Sequence, residues 1–185
     1  MPVTLKIAVF GSSQPREGMQ DYEEARAVGY ALARAGYTVV TGGYHGIMEA
    51  ASLGAKEAGG TTIGVTTDFF AVRNLMANVY IDTEIRVPSY ADRLVKLISL
   101  SDGYVIMRGG SGTLSELFCS WELVKNGSLP LRPIVLYGDH WKRIIDFLAG
   151  ELEDELSFSS HLRLLKFADN PGDVIRLLKK SFNLT

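Results

Sequence analysis

A single cysteine, Cys119, in 185 residues excludes an internal disulfide framework and cysteine-rich zinc sites. Its helical surroundings mark it as a buried apolar residue. A basic excess is also missing. The formal net charge is -2 and the pI about 5.9, which disfavours non-specific nucleic-acid binding. No uninterrupted apolar run approaches the roughly 20 residues of a membrane span. The opening MPVTLKIAVFGSS has too short an apolar run for a signal peptide and leads straight into a strand. A cytoplasmic protein is expected. The three histidines, His45, His140 and His161, show no metal-ligand spacing, so no metal site is expected. Repeats, low-complexity tracts and linkers are absent, and one domain spanning 1–185 suffices.

What is present is a globular composition, 46% hydrophobic and 22% charged, in which β-rich apolar runs alternate with helical patterns. Strands are expected at Leu5–Phe10, Tyr37–Thr41, Thr61–Val65, around Val79–Ile85, and at Tyr104–Met107. Pro133–Tyr137 is the last convincing one. Helices are expected at Asp21–Ala35, with Gly36 as its C′ residue, and at Gly46–Ala58. Further helices are expected from Pro88 to about Leu100 and at Thr113–Lys125, Trp141–Leu148 and Asp173–Phe182. This alternation implies a three-layer, Rossmann-like α/β fold with a mostly parallel sheet flanked by helices.

Ligands of such folds bind beyond the carboxyl ends of the strands. Three glycine-rich loops fall there: Gly11-Ser12-Ser13, Gly42-Gly43-Tyr44-His45-Gly46, and Gly109-Gly110-Ser111-Gly112-Thr113. Glycine permits close approach to the backbone, and a helix start offers unpaired N–H groups. Together they form a phosphate cradle. Neither GxGxxG with its downstream acid nor GxxxxGK[ST] is present, so neither NAD nor ATP in its usual mode is indicated, and no cofactor is expected. No G-x-S-x-G elbow supports a serine hydrolase. Glu116 has two readings. It completes a capping box with Thr113, or it faces a bound sugar one turn from the phosphate loop. Arg93 falls beside the apolar stripe of its helix, as a solvated residue or as part of the site. His45 is the one histidine in a candidate loop.

Gly109-Gly110-Ser111-Gly112-Thr113-Leu114-Ser115-Glu116 resembles the PGGxGTxxE motif of the Lonely Guy (LOG) family. Phe10-Gly11-Ser12-Ser13 resembles that family's first loop. Thr41-Gly42-Gly43-Tyr44-His45-Gly46-Ile47-Met48 resembles its GGGxxGLM segment, and Ser101-Asp102-Gly103 the short stretch before its fifth strand. The resemblance implies a phosphoribohydrolase that cuts the N-glycosidic bond of a nucleoside 5′-monophosphate, of the cytokinin-riboside or AMP type. It implies a catalytic pair, Arg93 and Glu116. It also implies ligand contacts from Gly11, Ser12, Ser13, Gly42, Gly43, Gly46, Met48 and Gly109–Thr113. Arg108 stands in place of the motif's proline, Leu94 in place of a lysine, and Leu117 in place of a frequent second glutamate. Asp68–Val87 does not match the segment that shapes the family's base pocket. A neighbouring branch, the molybdenum-cofactor carrier proteins, binds a nucleotide-like ligand without cutting it. The older label for the family, lysine decarboxylase-like, would require a Schiff-base lysine motif that is not visible.

A homodimer is expected from the resemblance. Independent support comes from the apolar surplus of two successive helices, with Leu94, Val95, Leu97, Ile98 and Leu100 on one and Leu114, Phe118, Trp121 and Val124 on the next. In such a dimer, Asp68–Val87 of a neighbour is expected to help close the pocket.

Overall fold

The computed structural model describes residues 4–72, 74–152 and 161–184. Seven parallel strands form one sheet: β1 (Lys6–Phe10), β2 (Thr38–Thr41), β3 (Thr62–Thr67), β4 (Thr83–Val87), β5 (Gly103–Ile106), β6 (Ile134–Tyr137) and β7 (Leu165–Ala168). Their spatial order is β4-β3-β2-β1-β5-β6-β7. Strand order reverses at β1, which pairs with β2 on one side and β5 on the other. That is the switch point at which α/β sheets open a crevice.

The period-2 alternation of the strands divides the core. Ile7, Val9, Val105 and Val135 face α1 (Gln20–Arg34) and α2 (Ile47–Glu57). Ala8, Phe10, Ile106 and Leu136 face α4 (Tyr90–Leu100), α5 (Ser111–Lys125) and α6 (Asp139–Glu151). Both sheet faces are therefore covered, as the near-continuous apolar strands require. A short α3 (Asp68–Ala71) follows β3, and α7 (Pro171–Ser181) packs on the α1 side. α1 and α2 cross closely because Gly29 lies against the Ala51 carbonyl and Gly54 against that of Arg26, where a Cβ would collide with backbone. Gly36, at φ +86°, ends α1 as expected.

Several boundaries differ from the sequence reading. β3 runs two residues further, to Thr67. The strand expected near Val79–Ile85 is β4, shifted towards Val87. α4 starts at Tyr90 rather than in the turn containing Pro88, because Ser89 and Asp92 form a reciprocal capping box. α5 starts at Ser111 with Gly110 as its cap, so Thr113 is not a cap and the Thr113–Glu116 capping box does not form. β7 follows what the sequence suggested was the last strand. It completes the sheet edge beside β6.

Candidate active site

Three strand ends build the site. The amide of Ser12, after β1, donates to the Arg108 carbonyl after β5 at 3.0 Å. The Ser12 carbonyl accepts from the amide of Ile47, at the start of α2, at 2.9 Å. These bonds lock the three glycine loops together at one sheet edge. Beside them opens a cavity of about 380 Å³. Of the candidate site residues, Gly11, Ser12, Ser13, Met48, Arg93, Gly110, Ser111, Gly112, Thr113 and Glu116 line it.

Gly42, Gly43, Gly46 and Gly109 stand behind the lining. Gly42 leaves room for the Arg93 guanidinium, which a Cβ there would overlap. Gly43, at φ +77°, offers its carbonyl to Asn78. Gly46, at φ +71°, lies against the Ser12–Ser13 backbone. Gly109 lies against the Thr113 side chain. His45 is exposed, with Nδ1 3.4 Å from Glu49, and does not line the cavity.

Arg93 is 5% exposed, which rules out the solvated reading. Its Nε donates to the Val65 carbonyl at 2.9 Å and its Nη2 to the Gly42 carbonyl at 3.1 Å. Nη2 also lies 3.6 Å from the Met48 sulfur. The guanidinium carbon sits 5.4 Å from the centre of the Tyr44 ring. With those groups engaged, Nη1 faces Glu116 Oε1 at 4.0 Å.

Glu116 is 8% exposed. Its carboxylate has no hydrogen bond among the described residues, and its one ion pair is the long contact with Arg93. Burial pushes its pKa up to about 7, and the nearby Arg93 charge holds it back only in part. A carboxyl poised near neutrality beside a fixed cation can act in either protonation state. One helical turn away, α5 begins. The first bond back into this helix is from the Leu114 amide to the Gly110 carbonyl at 3.0 Å. The amides of Ser111, Gly112 and Thr113 therefore precede the helical ladder and are free for an anion.

The sequence reading missed the aromatic side of the cavity. Tyr44, Phe70 and Tyr90 line it, with Leu75. The Phe70 ring meets Tyr44 edge-on at 5.3 Å and Tyr90 edge-on at 6.2 Å. Phe70 and Leu75 belong to the segment 68–87, which therefore contributes to the pocket of its own chain. Asn78 anchors it by donating from Nδ2 to the carbonyls of Gly43 at 3.1 Å and Tyr44 at 2.8 Å. The cluster of aromatic residues in Asp68–Tyr90 was the available signal.

Fold and pocket together define a Rossmann-like α/β protein whose site is assembled from glycine-rich strand-to-helix loops. The chain belongs to the SLOG cluster4 family, whose model matches residues 4–144. It is 31% identical, over 92% of its length and 91% of the relative's, to a cytokinin riboside 5′-monophosphate phosphoribohydrolase of Mycobacterium tuberculosis. A protein of the same name from Rhodococcoides fascians is 28% identical over 75% of this chain and 70% of that one. Among solved structures, the molybdenum cofactor binding protein of Rippkaea orientalis superimposes with a TM-score of 0.75 at 27% identity, covering 98% of this chain and 99% of that one.

Proposed function

We propose that the protein hydrolyses the N-glycosidic bond of a nucleoside 5′-monophosphate, releasing free base and ribose 5-phosphate. The observation that carries this reading is the buried Glu116 carboxylate, open to the cavity beside Arg93 and one turn from unpaired helix-start amides. The phosphate binds the amides of Ser111–Thr113, with Ser12 and Ser13 alongside. That anchor holds C1′ of the ribose against Glu116. Bond cleavage develops positive charge on the ribose, which ionised Glu116 stabilises while orienting the attacking water. Arg93, held by Val65 and Gly42, keeps a useful fraction of Glu116 ionised. The base leans on the Tyr44–Phe70–Tyr90 wall, a flat apolar surface suited to a planar ring. The activity named for the Mycobacterium tuberculosis relative supports the same chemistry. Nucleoside monophosphates are intracellular metabolites, so a cytoplasmic location belongs to this reading.

The likeness to the Rippkaea orientalis protein favours one alternative, a carrier that holds a cofactor related to a nucleotide without cutting it. Incubation with a panel of nucleoside monophosphates, followed by chromatography for free base and ribose 5-phosphate, separates the two. Release of base supports hydrolysis. Tight binding without release supports the carrier.

The working unit in this reading is a homodimer. Of the apolar surplus expected on the two helices, Leu97, Ile98, Trp121 and Val124 are buried within the chain and Leu94, Leu100 and Leu114 pack against the same core, so what is left for a partner patch is Val95 and Tyr90 on α4 and Phe118 on α5. A two-fold partner presenting the same patch would cover it.

A further inference from the structure

Tyr90 lines the cavity from the first position of α4. A reciprocal cap fixes that start. Ser89 Oγ accepts from the Asp92 amide at 3.1 Å, and Asp92 Oδ2 accepts from the Ser89 amide at 3.2 Å. The Tyr90 ring then stands edge-on to Phe70, with 6.2 Å between the ring centres. Its hydroxyl has no hydrogen bond among the described residues. It reaches Gly112, in the first turn of α5. A Cβ at Gly112 would stand 3.3 Å from the hydroxyl oxygen, the nearest group that it would meet.

That contact locates the hydroxyl. A helical Cα–Cβ bond tilts towards the helix N-terminus, and the unpaired amides of the first turn point the same way. A group beside the Cβ position of Gly112 therefore flanks the end of α5 towards which the amides of Ser111, Gly112 and Thr113 point.

The charges in the cavity give a neutral donor at this place a purpose. Arg93 and Glu116 are the charged side chains among the lining residues. Arg93 is committed through Nε and Nη2 to the carbonyls of Val65 and Gly42, and its Nη1 faces Glu116. An anion at the start of α5 is therefore met by amides and hydroxyls rather than by a cation of its own. A phosphate monoester presents three strongly accepting oxygens, more than three amides saturate. Hydrogen bonds to such an ionised acceptor are the strong ones.

We infer that the Tyr90 hydroxyl is a ligand of the substrate phosphate and donates to it from beside the Ser111–Thr113 amides. This rests on the phosphate anchor given under the proposed function and adds to it a side chain from α4. One residue then serves both ends of the ligand, its ring in the aromatic wall and its oxygen at the anion.

Tyr90→Phe removes that oxygen alone. The ring, its contact with Phe70 and its share of the exposed patch remain, and a thermal melt checks the fold. Calorimetry would compare AMP with ribose 5-phosphate, which lacks the base, in a Glu116→Gln background that keeps AMP intact. Tyr90→Phe is expected to weaken binding of both by about tenfold. A loss confined to one compound, or absent from both, overturns the inference, since a phosphate contact is common to the two. A background protein that fails to bind ribose 5-phosphate overturns the inference together with the anchor beneath it. Hydrolysis is read separately, as base release by the parent protein. Tenfold weaker binding without any base release keeps Tyr90 as a phosphate ligand and removes the hydrolytic reading alone.

Discussion

Arg93 Nη1 and Glu116 Oε1 stand 4.0 Å apart, both side chains nearly buried, with no closer partner for the carboxylate among the described residues. The contact is too long for a hydrogen bond, so the pair is held by charge and by what surrounds it. Arg93 is fixed by backbone carbonyls on the other side of its guanidinium, and Glu116 by its place on α5. The gap between them is where a substrate atom can enter.

Removing the charge at Glu116 should remove catalysis while keeping the fold. Glu116→Gln is expected to lower turnover of a nucleoside monophosphate by roughly 10²-fold or more, as for loss of other transition-state stabilisers. Base release by chromatography, with a thermal melt as control, measures it. Near-full turnover in a folded variant would defeat the assignment.

Activity should also follow the ionisation of Glu116. With the carboxylate as the working form, kcat/KM is expected to rise with pH through about 7. Arg93→Met removes the charge that holds the pKa down, so the midpoint should move upward as the rate falls. A profile flat from pH 5 to 9 in the parent protein would contradict this.

The same ionisation carries a stability cost. Glu116 titrates near 7 when folded, against an ordinary value of 4.5, so the folded state binds more protons between these limits. Stability contributed by this group therefore falls as pH rises through that window, by a total on the order of 3 kcal/mol. Glu116→Gln lacks the effect. Urea unfolding at pH 5 and pH 8 should show the variant gaining on the parent protein at the higher pH. Parallel pH dependence of the two proteins is the contrary result.

Two glycines separate positioning from ligand contact. A Cβ at Gly42 would overlap the Arg93 guanidinium and lie 2.6 Å from the Met48 sulfur, so Gly42→Ala should displace Arg93 and depress turnover. A Cβ at Gly112 meets only the Tyr90 hydroxyl, at 3.3 Å. Gly112→Val should therefore fold, yet weaken monophosphate binding by about tenfold, or ~1.4 kcal/mol, by intruding on the anion. Calorimetry would detect the change. Unchanged affinity would put the phosphate elsewhere.

The assembly can be tested at Val95, which is 58% exposed on α4. Light scattering after size exclusion should give a dimer for the parent protein and a monomer for Val95→Glu, since an unpaired charge in an apolar interface is costly. A monomeric parent protein would remove the dimer from the proposal. Mixing Arg93→Ala with Glu116→Gln protein then asks whether one site draws both residues from one chain. Their contact within a single chain predicts no recovery of activity.

The layered fold and the phosphate-type loops were legible because they depend on local chemistry. Apolar alternation, glycine at strand ends and Gly36 at a helix end act within a few residues. Arg93 was ambiguous because what buries it is distant in sequence: the carbonyls of Val65 and Gly42 lie 28 and 51 residues away. The Thr113–Glu116 spacing fits a cap, but the helix begins earlier, at Ser111, and this turns Glu116 inward to the cavity. β7, Leu-Lys-Phe-Ala, is no shorter than β6, but Lys166 interrupts its apolar run, and it is recognisable only once β6 stands beside it. The aromatic wall was hidden because Phe70 and Tyr90 are twenty positions apart, and their meeting depends on the path of the intervening chain.

The position of β1 also sets an order of assembly. β1 to β4 can pair with their neighbours as the chain lengthens, but the other side of β1 waits for β5, with Ile7 opposite Gly103. Until that long loop closes, the Arg108 carbonyl has no Ser12 amide to meet and Glu116 has no Arg93. Such distant pairings are slow to form. The functional centre is therefore complete only once β5 and α5 are joined to the strands that precede them in the chain.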